Sequence, residues 1–132
     1  MPEQETLERA EQDKREGKAP STQAGEFVRE EIHHIREGKH GAASAKQAVA
    51  IGLSKARRAG VNLPPPKKGR VSEKTRKAAE RDSKRGRSGK KKVSAKRSRR
   101  SEAALKREPR SAASHKALSR QAKSAARRRK AA

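Results

Sequence analysis

The sequence predicts a mostly α chain: a small helical hairpin or three-helix N-terminal head, followed by a largely disordered basic tail with a C-terminal helix. Three observations lead there. Only 29% of the 132 residues are hydrophobic and Phe27 is the sole aromatic. So little apolar surface is hard to set against an ordering cost of roughly 1–2 kcal/mol per residue. The apolar residues present recur at helical spacing, and that periodicity ends near Gly60. The charge is also split. Residues 1–66 hold 11 Lys/Arg and 10 Asp/Glu, whereas residues 67–132 hold 27 and 5, a net of +22 within a total of +23.

The elements follow in order. Residues 5–16 are helix formers with a weak apolar face of Leu7 and Ala10, and Gly17 supplies a stop. Ser21 or Thr22 is placed to cap a second helix from about Gln23 to Glu37, on which Val28, Ile32 and Ile35 share a face. Gly38 and Gly41 break the chain, and Ser44 caps a third helix ending near Gly60, with Val49, Leu53 and Ala56 at the same spacing. Helices this short are marginal alone. Pairing as a hairpin, with Phe27 as the bulkiest filler, is therefore expected. Arg15-Glu16-Gly17-Lys18 recurs as Arg36-Glu37-Gly38-Lys39, each followed by a Gln-Ala pair, Gln23-Ala24 and Gln47-Ala48. This is one helix-stop and helix-start grammar used twice, by duplication or by coincidence of local preferences.

Three segments result: a helical head (1–63), a Pro-rich basic linker (64–71) opening on Pro64-Pro65-Pro66, and a Lys/Arg/Ala/Ser-rich flexible tail (72–132). Within the tail, Ser72 is placed to cap a helix through about Lys84, which Gly86 and Gly89 would interrupt. The last segment is the most helical, with Pro109 suited to a first turn and Ala112, Ala113, Ala117, Ala122, Ala125 and Ala126 following. There Lys116, Arg120, Lys123 and Arg127 form one stripe, with Leu118, Ala122 and Ala125 roughly opposite. Repulsion within the stripe opposes the free helix, so the segment is expected to be helical mainly when bound to a polyanion.

The chemistry implied is phosphate binding. Duplex DNA carries a negative charge about every 1.7 Å, and cationic side chains that neutralise it release condensed counterions. The candidate contacts are Lys67, Lys68, Arg70, Lys90, Lys91, Lys92, Lys96, Arg97, Arg99, Arg100, Lys116, Arg120, Lys123, Arg127, Arg128, Arg129 and Lys130. The tail has no aromatic ring on which bases would stack, and no zinc-finger or zipper spacing. Binding is thus expected to be nonspecific.

Other motifs carry less. Arg36-Glu37-Gly38-Lys39-His40-Gly41 and Gly86-Arg87-Ser88-Gly89 have the Gly-x-x-Gly form of a backbone clamp, but no strands accompany them, and a helix stop and turn is the plainer reading. His33, His34 and His40 read as solvated histidines, paired at most with Glu30 or Glu37, rather than metal ligands. No nucleophile–base pair, phosphate loop or paired-carboxylate cleft emerges, so neither catalysis nor a cofactor is expected. With no cysteine there are neither disulfides nor thiolate ligands. No apolar run approaches the roughly 18 residues of a membrane span, and Met1-Pro2-Glu3-Gln4-Glu5 lacks the build of a signal peptide. A cytoplasmic, nucleoid-associated location is expected. Pro66-Lys67-Lys68-Gly69-Arg70-Val71 has the form of a nuclear-import signal, which matters only in a eukaryote.

Glu37-Gly38-Lys39 and the run Ser44-Ala45-Lys46-Gln47-Ala48-Val49-Ala50-Ile51-Gly52-Leu53-Ser54-Lys55-Ala56-Arg57-Arg58-Ala59-Gly60 resemble a family of small basic bacterial proteins. Its pattern is E-G-K, a short gap, K-Q-A-[IV]-A-I-G-L-S-x-A-R-x-A-G, then a basic tail. The likeness spans about residues 32–68, and Lys46–Gly60 is its specific part. It implies a bacterial source and no defined biochemistry, since members are described only loosely, as DNA-binding or plasmid-stabilisation proteins. By composition the tail is similar to those of linker histones and bacterial histone-like proteins. The leading reading is DNA binding in the nucleoid, with the head mediating self-association or a partner contact. The alternatives are RNA or ribosome association, and an adaptor whose head binds a protein while the tail only localises it.

Overall fold

The computed structural model describes residues 2–88 and 94–131. They form α1 (Gln4–Arg15), α2 (Pro20–Arg36), α3 (Ala45–Arg58), α4 (Glu73–Ser88), α5 (Ala95–Lys106), a short 3₁₀ helix (Arg110–Ala113) and α6 (His115–Ala131). The expected disordered basic tail is therefore wrong: among the described residues the basic half is mostly helix. Local signals account for it. Ser72, Ser94 and Ser114 each accept a hydrogen bond from the backbone N–H three residues on, capping α4, α5 and α6. Arginine, lysine and alanine are themselves strong helix formers. Nor does α6 await a polyanion, and it begins at His115, later than Pro109 suggested.

Other boundaries moved for clear reasons. The second helix starts at Pro20, its proline in the first turn, and Ala19 rather than Ser21 or Thr22 precedes it. Ser44 caps α3 as expected, and Gln47 reaches back to the Ala43 N–H. The repeated Arg-Glu-Gly-Lys is one geometry used twice. Gly17 and Gly38 have φ of 76° and 81°. The Gly17 and Lys18 N–H groups donate to the carbonyls of Lys14 and Asp13, and those of Gly38 and Lys39 to Ile35 and His34. Gly60, with Val61, ends α3 in the same way.

Two compact units form: residues 1–30 with 51–92, and residues 31–50 with 93–132. The first has a core of Ala10, Ala24, Phe27 and Ala56, with Leu53, Val61 and Leu63 against it. Phe27 is its largest fully buried side chain. Small residues set its spacing. A methyl group on Gly52 would lie 2.6 Å from Val28 Cα, so α2 and α3 meet there backbone to backbone. Glu30 is buried and accepts from the Glu3 N–H and the Thr6 hydroxyl, tying the start of α1 to α2.

In the same unit α4 docks through Ala79, Asp82 and Gly86. The Ser54 hydroxyl donates to Asp82 at 2.7 Å. Gly86 does not interrupt the helix; a Cβ there would lie 2.0 Å from the Arg57 carbonyl oxygen. Gly89 lies outside the described residues. The proline segment is held by arginines, with Arg57 donating to the Leu63 and Pro64 carbonyls and Arg76 to that of Pro66. Burial pulls the Arg57 guanidinium below its ordinary value, and Asp82 partly opposes that pull.

The second unit has a core of Ile35, Ala42, Ala48, Ala112 and Ala113, with Ile32 packed on it. Backbone bonds weave the basic half into this core. The Gly41 N–H donates to Leu105 at 2.8 Å and the Ala42 N–H to Pro109 at 3.0 Å. Arg36 donates to the Ala113 carbonyl at 3.0 Å, and Arg110 donates to the Arg36 carbonyl. A Cβ on Gly41 would overlap the Glu108 carbonyl, at 1.9 Å. The Gly38–Gly41 loop is thus the dock for residues 105–113, beyond the simple stop its sequence suggested.

Candidate nucleic-acid interface

The cations expected to meet phosphates are exposed wherever they are described. In the first unit, Lys67, Lys68 and Arg70 surround a turn in which the Arg70 N–H donates to the Lys67 carbonyl and Gly69 takes φ 87°. In the second unit, Lys96, Arg97, Arg99 and Arg100 stand in the first two turns of α5, a helix with no buried residue. Lys116, Arg120, Lys123 and Arg127 line one face of α6 over about 16 Å, at 1.5 Å of rise per residue. Arg128, Arg129 and Lys130 follow in its last turn, where the helix dipole favours cations. Lys90, Lys91 and Lys92 lie outside the described residues.

Few acids offset these charges. α6 contains no Asp or Glu. α5 has Glu102 alone, paired with Lys106 at 3.4 Å. Burial removes Arg57 from the pool of available cations, and backbone bonds engage Arg36 and Arg110.

One cationic face escaped the sequence reading. On α4, Lys74, Lys77, Arg81 and Lys84 fall at i, i+3, i+7 and i+10, all exposed, opposite the docked positions Ala79, Asp82 and Gly86. The signal was there in small or acidic residues recurring at helical spacing between cations. It is easily missed when the segment is taken for low-complexity chain. Positive charge is accordingly not confined to one unit. The first holds 21 Lys/Arg against 11 Asp/Glu, and the second 17 against 4.

A different cluster lies at the end of α2. Glu31 and His34 are three residues apart on the helix, and the turn at Gly38 returns the chain so that His40 meets Glu31. His40 Nε2 lies 3.0 Å from Glu31 Oε2, and His40 Nδ1 lies 2.9 Å from the Gly41 carbonyl. The His34 and His40 rings meet edge-on at 6.2 Å. Glu31 is fully buried and His40 mostly so. Only His33 among the three is exposed, and the partner of His40 is Glu31 rather than Glu30 or Glu37. Adjacent positions 33 and 34 diverge around the helix, but a loop return that pairs residue 40 with residue 31 leaves no periodic trace.

Residues 18–68 match a family of unknown function, DUF6496. The matched segment covers α2, α3 and the proline segment and stops before α4, α5 and α6. The chain has no significant match among curated proteins or among solved structures. Among the described residues, no helix is long and apolar enough to cross a membrane.

Proposed function

We propose that the chain binds nucleic acid, duplex DNA in particular, through backbone phosphates and without reading base sequence, as a nucleoid-associated protein would. The observation that carries this reading is the face of α6: four exposed cations at helical spacing, three more at its end, and no acidic residue in the helix. The exposed cations of α4 and α5 add two further faces of the same kind. A helix fits the roughly 12 Å width of the DNA major groove, and phosphate contacts alone position a protein without conferring specificity.

Counterion release provides the test. With each neutralised phosphate contributing about −0.9 to the slope of log K against log[salt], engagement of a third of the basic half implies a slope on the order of −8. Changing Arg127, Arg128, Arg129 and Lys130 together to Gln should lower that slope by about 3–4, equally on AT-rich and GC-rich duplexes. Glutamine is itself a good helix former, so α6 is retained. A slope near −2, or strong preference for one duplex, would defeat the reading. Displacement of bound duplex by a much smaller amount of structured RNA would move it from DNA to RNA.

A further inference from the structure

We infer that Glu31, His34 and His40 form a binding site for one divalent transition-metal ion of the zinc class. The inference is independent of DNA binding. It rests on which atoms face each other. A carbonyl oxygen only accepts, so the 2.9 Å contact between His40 Nδ1 and the Gly41 carbonyl assigns the N–H to Nδ1. In the neutral ring this leaves the lone pair of Nε2 pointing at a carboxylate oxygen 3.0 Å away. Two acceptors at that distance hold together only around a cation, either a proton or a metal ion. A proton would satisfy the pair and require nothing more.

The third group favours the metal. His34 completes a set in which one ligand atom from each residue lies within 4.8 Å of the others. Tetrahedral zinc, with bonds of about 2.0–2.2 Å, spaces its ligand atoms at about 3.3 Å. The Glu31–His40 pair is already near that separation, and a ring nitrogen of the half-buried His34 lies within 4.8 Å of both ligand atoms. The Gly41 carbonyl on the far ring nitrogen is the orienting partner that metal-bound histidines ordinarily have. His40 is also fixed in place, because the next residue donates its N–H to Leu105. Two imidazoles and one carboxylate, without thiolate, suit Zn²⁺ or Co²⁺ and leave a fourth position for water. The ion would clamp the end of α2 to the loop that receives residues 105–113, so it should also stabilise the second unit.

The test is titration of the full chain with Co²⁺, followed by visible absorption, then displacement by Zn²⁺. One equivalent should bind and give the intense bands of a tetrahedral site. His34→Asn and His40→Asn should each weaken binding by about tenfold or more, whereas His33→Asn and His115→Asn should not. Because the Glu31–His40 pair is buried, His34→Asn is the decisive variant, its fold checked by circular dichroism. Saturation with Zn²⁺ should raise the melting temperature of the wild type and not of His34→Asn. Absence of stoichiometric binding would overturn the site. So would affinity unchanged in His34→Asn, or an equal loss in His33→Asn and His115→Asn, which would mark adventitious surface histidines.

Discussion

α4 and α5 are written in nearly the same alphabet and stand differently in the molecule. α4 carries seven Lys/Arg and three Asp/Glu, and α5 five and one. Each begins at a serine cap. Yet α4 buries Ala79, bonds Ser54 through Asp82 and sets Gly86 against the Arg57 carbonyl, whereas α5 buries nothing. Positive charge thus does not decide whether such a helix buries a face. Three positions out of sixteen do, two by being small and one by being an acceptor. Lys74, Lys77, Arg81 and Lys84 of α4 are exposed as the cations of α5 are, and the two helices become alike again in what they offer to a polyanion.

That contrast separates binding from stability, and the largest expected effect lies on the binding side. Replacing Lys96, Arg97, Arg99 and Arg100 of α5 with Gln should lower DNA affinity on the order of a thousandfold near 0.1 M salt, with a slope shallower by about 3–4. The melting temperature should scarcely move, because none of the four side chains is buried. Fluorescence anisotropy at several salt concentrations reads the first, and a thermal melt the second. A large fall in melting temperature would mean that α5 is docked through its cations and that the contrast with α4 is false.

The next effect is on α4. Gly86→Ala raises intrinsic helix propensity by about 1 kcal/mol, but its methyl would lie 2.0 Å from the Arg57 carbonyl oxygen. Contact should win over propensity, with a net loss of about 1–3 kcal/mol in denaturant unfolding. An unchanged or higher stability would show that α4 does not pack there. Smaller again is Ser54→Ala, which removes the donor at 2.7 Å from the Asp82 carboxylate and should cost about 1.5 kcal/mol. That loss should disappear when Asp82 is already Ala, since only the pair is being measured.

The same contrast explains what could be read in the sequence. The hairpin helices, the Ser44 and Ser72 caps, the glycine stops and Phe27 as principal filler were legible, because capping and helical periodicity are local. The basic half was misread because hydrophobic content was taken as the measure of folding. Its docking instead uses Ala79, Ala112, Ala113, Gly86 and backbone carbonyls at Leu105 and Pro109, which add little to any hydrophobicity count. The core of α3 shows the same bias: Ala48, Gly52 and Ala56 are buried, and of the expected face of Val49, Leu53 and Ala56 only the alanine is among them. Among the basic residues, exposure was legible from composition, but the α4 face was not, since it required α4 to be seen as a docked helix. The Glu31–His40 contact was the least legible. It depends on how a nine-residue return closes, and only the chain fold shows that.

The smallest effect concerns a glycine of the opposite kind. Gly25 lies within α2, is exposed, and a Cβ added to it would meet nothing within 4 Å. Its φ is not positive, so an L side chain fits the backbone as it stands. Only propensity should then act. Alanine restricts the unfolded chain and favours the helix, so Gly25→Ala should stabilise by about 0.5–1 kcal/mol. In a chain of this size that is a rise of about 3 °C in melting temperature. The sign is the point of the experiment: one substitution, made in two helices, should act in opposite directions because Gly86 meets a carbonyl and Gly25 meets solvent. If both variants lose stability, position 25 is covered in solution, and the surface of α2 around Gly25 is where the covering partner should be sought. If both gain it, the close approach at Gly86 is absent, and the contrast between α4 and α5, which buries no side chain, is weaker than drawn.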